Sequence, residues 1–330
     1  MIKYILYKFF MMIVTLWLII TSVFFIMKAL PGGPFDLEKE IPESVKYELE
    51  KKYGLDKPLA VQYVKYIKNI AVLDFGESYK DTGQKVTYII KKAFKYSALI
   101  GFSSIFIAIF SGLFLGVFLA ESDNEIKINN KEYKFKVIFN KFLNKIISAG
   151  STFGIATPNF VLAVLFVYLF CEYWPVMAVG DLDSFKSYIG PILILSVYPA
   201  SFIMKIVKVN MKKILEENYI SVLKAYGINK KKILFKYSLK EVLIPVITYA
   251  APMLASVVMG SFAVEKIFVI PGLGRIFIDS VFMRDYYVVF GLILFYSVVY
   301  LIAIFVTDIC YFIIDPRLKL SFALKKESKL

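Results

Sequence analysis

Six stretches of this chain run without a charge for at least the ~18 residues that cross a bilayer. They are Phe9–Met27, Tyr96–Ala120, Ile146–Cys171, Ser187–Met204, Val242–Val264 and Tyr286–Thr307. Lipid offers backbone amides no partner, so a spanning stretch satisfies them internally, as an α-helix. The expectation is an all-α integral membrane protein with six transmembrane helices. Composition agrees: of 330 residues, 58% are hydrophobic, 17% aromatic and only 20% charged, and the mean hydropathy is +0.66. A soluble domain carries roughly half apolar and about a quarter charged residues. Lys3 and Lys8 give the first stretch the outline of a secretory signal. Its apolar run is too long for one, and Lys28-Ala29-Leu30-Pro31 offers no small-x-small cleavage site, so a retained helix is expected.

The formal net charge of +14 raises nucleic acid as a partner. The lysines gather in alternate loops instead, and the arginines are only Arg275, Arg284 and Arg317, which argues against phosphate reading by guanidinium forks. Lys127, Lys131, Lys134, Lys136, Lys141 and Lys145 follow the second span. Lys205, Lys208, Lys212, Lys213 and Lys230 to Lys232 follow the fourth, and Arg317, Lys319, Lys325, Lys326 and Lys329 the sixth. Basic loops stay on the cytoplasmic side, so both termini are expected there. Lys85, Lys91, Lys92 and Lys95 point the other way, but they lie in a long loop, where the rule is weak.

That loop, residues 31–95, is the one sizeable soluble insertion. Pro42 to Tyr53 reads as a helix stopped by Gly54. Pro58 suits the first position of a second helix, with Tyr63, Ile67 and Ile70 on one side, and Gly83 precedes a third. The chain has no histidine, which removes the commonest general base and metal ligand. Cys171 and Cys310 both lie in apolar stretches and read as packing residues. No G-x-x-x-x-G-K-[ST] loop is present, so ATP binding by this chain is not expected, and neither is any cofactor.

Ser104, Ala108, Gly112, Gly116 and Ala120 recur every four residues in the second span, and Gly150 and Gly154 repeat the pattern in the third. Small residues let another helix backbone approach closely, within the chain or across a subunit interface. Pro158, Pro199 and Pro252 are expected to interrupt the third, fourth and fifth spans, since proline removes a helical hydrogen bond and kinks the axis. Such breaks survive where protein or water satisfies the backbone, so Thr157, Asn159, Tyr198, Ser201, Thr248 and Ser256 beside them are candidates to line a passage. No charge falls in mid-span, which disfavours a proton-coupled carrier or a channel working alone.

The lysine-rich stretch from Tyr219 to Pro245 separates the fourth and fifth spans. Ala225-Tyr226-Gly227 reads as a helix stop, because glycine takes the left-handed conformation without a Cβ clash. Asn229 reads as the N-cap of the next helix, with Ile233 and Tyr237 on one face. Lys230, Lys231 and Lys232 fall in its first turn, where the helix dipole disfavours cations. Either the loop is merely held inside by its charge, or it is a docking knob for another protein.

This turn, the basic helix after it and Leu243-Ile244-Pro245 together resemble the coupling loop of ABC importer permeases. The spacing from Gly227 to Pro245 is similar to the oligopeptide, dipeptide and nickel branch. Where the wider family has Glu-Ala-Ala, this chain has Ser221-Val222-Leu223. Further phrases of that branch are Pro31-Gly32-Gly33-Pro34-Phe35, Tyr53-Gly54-Leu55-Asp56-Lys57-Pro58 and Asp74-Phe75-Gly76-Glu77-Ser78. Pro271-Gly272-Leu273-Gly274 and Asp315-Pro316-Arg317 complete the set. Pro271 and Gly272 also suit the centre of a type II turn, with a short helix bearing Ile276, Phe277 and Val281 after it.

The resemblance implies a type I ABC importer transmembrane core in the cell membrane. It divides the chain into a cytoplasmic N-terminus and first helix (1–30), a helical extracytoplasmic insertion (31–95), a five-helix core (94–312) with its coupling loop at about 205–241, and a cytoplasmic tail (313–330). It implies a second, homologous permease, a pair of ATPase subunits and a solute-binding protein as partners, besides membrane lipid, with oligopeptides as cargo and dipeptides or nickel as alternatives. The chain itself is then no enzyme. Ser221, Ala225, Tyr226, Gly227, Lys230 and Lys231 become the coupling contact, and Pro245, Pro271, Gly272, Gly274, Asp315 and Pro316 structural motif positions.

Overall fold

A computed structural model describes residues 2–29, 47–48, 51, 54, 56–81, 83–128 and 134–314. The expected helix at 42–53 and the phrases at 31–35 and 315–317 therefore fall outside the described residues, wholly or nearly so. Among the described residues there are helices and turns, with one isolated antiparallel bridge between Glu77 and Lys85. The helices are α1 (Ile2–Ala29), α2 (Leu59–Ala71), α3 (Val86–Ile128), α4 (Lys134–Ala156), α5 (Asn159–Val167), α6 (Lys186–Leu215), α7 (Asn218–Ala225), α8 (Lys230–Lys232), α9 (Leu239–Val258), α10 (Phe262–Ile267), α11 (Leu273–Phe282) and α12 (Tyr286–Ile314). Wider π-helical turns at Tyr168–Tyr173 and Ile233–Ser238 extend α5 and join α8 to α9.

The chain forms two compact units. One comprises Met1–Ala98, Met259–Lys266 and Ile270–Leu301. Its core is Val86, Ile90, Ala93, Leu273, Val288 and Leu292. An aromatic cluster joins the end of α1 to α2 and the start of α12: Phe24 stacks on Tyr66 at 5.6 Å, and Tyr66 meets Phe290 at 5.1 Å. Tyr63 shares a hydrogen bond of 2.7 Å with Thr21. The face of α2 expected from Tyr63, Ile67 and Ile70 is thus its inner one, although Pro58 caps the helix and does not open it. Asp285 is buried and caps α12, and it also accepts hydrogen bonds from the Ser78 hydroxyl and the Tyr79 amide. The phrase around Gly76 is therefore clasped to the start of α12 through Ser78 and Asp285.

The other unit comprises Leu99–Val258, Ile267–Val269 and Ile302–Leu330. Val117, Ala120, Ile203, Val207, Met211, Leu234, Val242 and Val246 form its core. The small-residue ridge of α3 faces α6: a Cβ on Gly112 would lie 2.8 Å from the Ile203 side chain, and one on Gly116 2.5 Å from that of Val207. At these two positions the ridge serves packing within the chain. In α4 only Gly154 is tightly packed, beside Ser201 and Val197, whereas Gly150 has open space.

Among the described residues four helices are long and apolar enough to cross a membrane, and two bent pairs, Ile138–Ala156 with Asn159–Tyr173 and Lys230–Ala250 with Pro252–Ile267, raise the number to six if each pair crosses once. Six is the number expected from the charge-free stretches. Within the first unit, Val86 and Ile90 at the start of α3 pack with Leu273 and Val288. Within the second, Glu121 near the other end of α3 pairs with Lys230 at 2.8 Å, and α6 is 30 residues or about 45 Å long.

The prolines behave differently from one another. At Pro158 the chain turns through 107°. The Thr157 amide makes the last bond of α4, to the Phe153 carbonyl at 2.9 Å, and a residue before proline is driven out of the helical region. Pro252 bends its pair by 42° without ending α9. Pro199 does not interrupt its span as expected: α6 runs through both Pro191 and Pro199. Proline's fixed φ is itself helical, and burial of both rings on α6 offsets the missing hydrogen bond. Pro245 likewise lies inside α9. Gly272 differs too: its φ of −90° and ψ of 177° are extended, not those of a type II turn, and it caps α11.

Candidate coupling site and translocation elements

Helix α7 ends in a turn that sequence and structure share in detail. Gly227 has φ of +72°. The Ile228 amide bonds the Leu223 carbonyl at 3.2 Å and the Gly227 amide bonds that of Lys224 at 3.0 Å. These are the two bonds of a Schellman cap, which closes a helix with a left-handed residue. The Asn229 side chain then accepts from the Lys231 amide at 3.0 Å and starts α8. Asn229→Ala should lower stability by about 1 kcal/mol, measurable as a lower melting temperature of the purified chain.

The turn is held out from a fixed base. Tyr226 is 80% exposed and Val222 52%, while Ile220 before them and Ile233 and Leu234 after them are buried. The π-helical winding from Ile233 to Ser238 changes which residues share a face. With i→i+5 bonding, Ile233, Leu234 and Ser238 point inward, and Tyr237, expected beside Ile233, is only half-buried. Leu234 belongs to the core that contains Val207, Met211 and Val242. Lys230 forms its ion pair with Glu121, whereas Ser221, Ala225, Lys231 and Lys232 are exposed. The Tyr219 hydroxyl donates to Glu241 at 3.0 Å, and partial burial together with that bond pushes its pKa up to about 12. The exposed turn is thus flanked by residues buried in the core of this unit.

The candidate pathway residues fall into distinct settings. Thr157 and Asn159 flank the bend at Pro158 and are half-buried. Ser201 is buried against Gly154 where α6 meets α4. Tyr198 hydrogen-bonds Tyr249, and Phe202 stacks on Tyr249 at 4.2 Å, which joins α6 to α9. Thr248 and Ser256 are exposed and bond their own helix, at the Ile244 and Met253 carbonyls. Sequence reasoning missed Tyr249, Phe202 and Glu121, because nothing local marks an aromatic or an acid whose partner lies on a distant helix.

Pro271, Gly272 and Gly274 lead to a residue given no role by the sequence. Glu265 is 2% exposed. Its carboxylate accepts from the Ser97 hydroxyl at 2.7 Å, from the Arg275 amide at 3.1 Å and from the Gly274 amide. Ser97 in turn accepts from the Leu273 amide at 2.8 Å. A Cβ on Gly260 or Gly272 would run into this carboxylate, and one on Gly274 would crowd both it and the Phe262 backbone. Three glycines close to one acid were the available signal of close approach. Asp315 and Pro316 lie outside the described residues.

Comparison with known proteins places this arrangement. Residues 112–320 match the family described as binding-protein-dependent transport system inner membrane component, and residues 1–100 match its N-terminal companion. The dipeptide transport system permease protein DppB of Bacillus subtilis is 36% identical over 97% of this chain and 99% of its own length. The oligopeptide transport system permease protein OppB of Haemophilus influenzae is 30% identical over 97% of this chain and all of its own length. In solved structures, a chain of the MetNI methionine ABC transporter, in an inward-facing conformation, has the same fold, with a TM-score of 0.52 over 69% of this chain and 97% of its own, at 18% identity. The family match over most of the chain and the near-full-length similarity to such permeases agree: the chain belongs to the family of inner-membrane components of binding-protein-dependent transport systems.

Proposed function

We propose that this chain is the permease subunit of an ATP-driven peptide importer, and that an ATPase subunit moves it through the turn from Ser221 to Gly227. The observation that carries this reading is the exposed turn around Tyr226 set between the buried residues Ile220 and Leu234. A shift of the turn reaches the helices rigidly, the form of coupling that rocks packed elements between alternative arrangements. The reading includes a second, similar permease, a pair of ATPases that carry the hydrolysis, and a solute-binding protein. In this reading, which the lysine-rich loops support, the turn and both termini lie in the cytoplasm and the insertion at 31–95 outside. Thr157, Asn159, Tyr198, Ser201, Thr248 and Ser256 line the passage in this reading.

For cargo, we favour oligopeptides. Dipeptides are the second reading, favoured by the 36% identity to a dipeptide permease. Uptake of labelled peptides by the reconstituted assembly separates them. Peptides of about five residues should enter with ATP and binding protein present, and exclusive uptake of dipeptides would select the alternative. Uptake by this chain alone, without an ATPase, would contradict the importer reading.

A further inference from the structure

We propose that Glu265, together with Ser97, is a positioning residue: its buried carboxylate fixes α11 and the hollow beside it as the receiving surface for the solute-binding protein. The inference rests on the importer reading and adds to it the surface where the binding protein lands and the group that sets its geometry.

The carboxylate sits at the centre of one small region of the first unit. It faces three donors, the Ser97 hydroxyl on α3 and the amides of Gly274 and Arg275 at the start of α11. Ser97 passes the connection on to the Leu273 amide. The segment preceding α11 returns to the same residue, since the Ile270 amide bonds the Glu265 carbonyl at 2.8 Å. Gly260 and Gly272 leave the space that this carboxylate fills, and Gly274 packs against both the carboxylate and the Phe262 backbone. Helix α11 has 10 residues, too few to stand alone, so its orientation is set by what holds it: the carboxylate at its first turn and the packing of Leu273, Ile276 and Phe277 in the core.

What it holds in place faces outward from the unit. Phe282 is 74% exposed, with Val281 and Met283 exposed beside it. Asp279 of α11 pairs with Arg275 on the same helix at 3.7 Å and with Lys266 of α10 at 3.5 Å. Ile276, Asp279, Ser280 and Met283 of this segment, with Lys80 and Asp81, border a hollow of about 250 Å³. Exposed aromatic and aliphatic side chains beside a polar-rimmed hollow are the usual make-up of a protein-binding centre. In the importer reading this surface faces outward from the membrane, the side from which the binding protein arrives, and the family match is to a binding-protein-dependent system.

The test uses the assembled transporter and reads ATP hydrolysis against binding-protein concentration. Glu265→Gln keeps the volume but removes the charge and replaces one of the two accepting oxygens by a donor, so it should raise the half-saturating concentration about tenfold, the factor carried by one charge-assisted hydrogen bond. Maximal hydrolysis and hydrolysis without binding protein should be unchanged. Gly272→Ala, which displaces the carboxylate from the other side, should reproduce the shift. Ser97→Ala should share it and Ser97→Thr, which keeps the hydroxyl, should restore it. Wild-type half-saturation in Glu265→Gln overturns the proposal, as does a lower melting temperature in all variants with half-saturation unmoved. Hydrolysis in the native assembly that ignores binding protein altogether overturns the importer reading, and this inference with it.

Discussion

Gly227→Val should abolish peptide uptake while the assembled transporter still hydrolyses ATP. Nothing lies within 4 Å of a Cβ at this position, so the substitution creates no clash with a neighbour. Its effect is on the backbone. At φ of +72° an L-residue pays about 1–2 kcal/mol, and a β-branched one has no comfortable version of this conformation. The Ile228 to Leu223 and Gly227 to Lys224 bonds then open together, and α7 loses its fixed relation to α8. Gly227→Asn is the control, since asparagine tolerates the left-handed region; it should retain most of the uptake. Uptake and hydrolysis measured in the same vesicles decide the point. Normal uptake by the valine variant would remove the turn from the mechanism.

Gly116→Leu should leave little folded permease to recover. A Cβ there would sit 2.5 Å from the Val207 side chain and 2.9 Å from the Met204 carbonyl oxygen. A side chain can swing aside, but a carbonyl in the middle of α6 cannot, so α3 and α6 must separate. Overpacking a core typically costs about 1–3 kcal/mol, and this contact lies within the cluster that also holds Leu234. Gly150→Leu, with open space around it, should fold as the native chain does. Size-exclusion profiles and melting temperatures in detergent distinguish the two. A well-folded Gly116→Leu protein would show that α3 and α6 do not meet at this ridge.

What the sequence disclosed was local or repetitive. Charge-free length revealed the spans, and glycine and asparagine chemistry revealed the turn at Gly227 and the cap at Asn229, because each signal resides in a few adjacent residues. The two ridges looked alike, yet Gly116 is tightly packed and Gly150 is not, since only the partner helix decides. The π-helical winding after Lys232 turned the predicted Ile233–Tyr237 face into one of Ile233, Leu234 and Ser238, and no local rule announces an extra residue in a turn. Pro158 and Pro199 had the same appearance, but one bends the chain by 107° and the other lies within a continuous helix. Packing overruled the local preference at Pro199. Glu265 was hidden for the opposite reason: an isolated acid beside an apolar span has no visible partner until Ser97 and the start of α11 are brought to it.

The most direct test of the account is cross-linking from the turn itself. With Tyr226→Cys in the assembled transporter, a short thiol cross-linker should join this chain to an ATPase subunit, in a yield that changes with bound nucleotide, and a membrane-impermeant thiol reagent added outside intact cells should leave the cysteine unlabelled. Labelling of residue 226 from outside, or the absence of any ATPase adduct in an assembly that transports peptide, would contradict the claim that this permease is driven through its Gly227 turn.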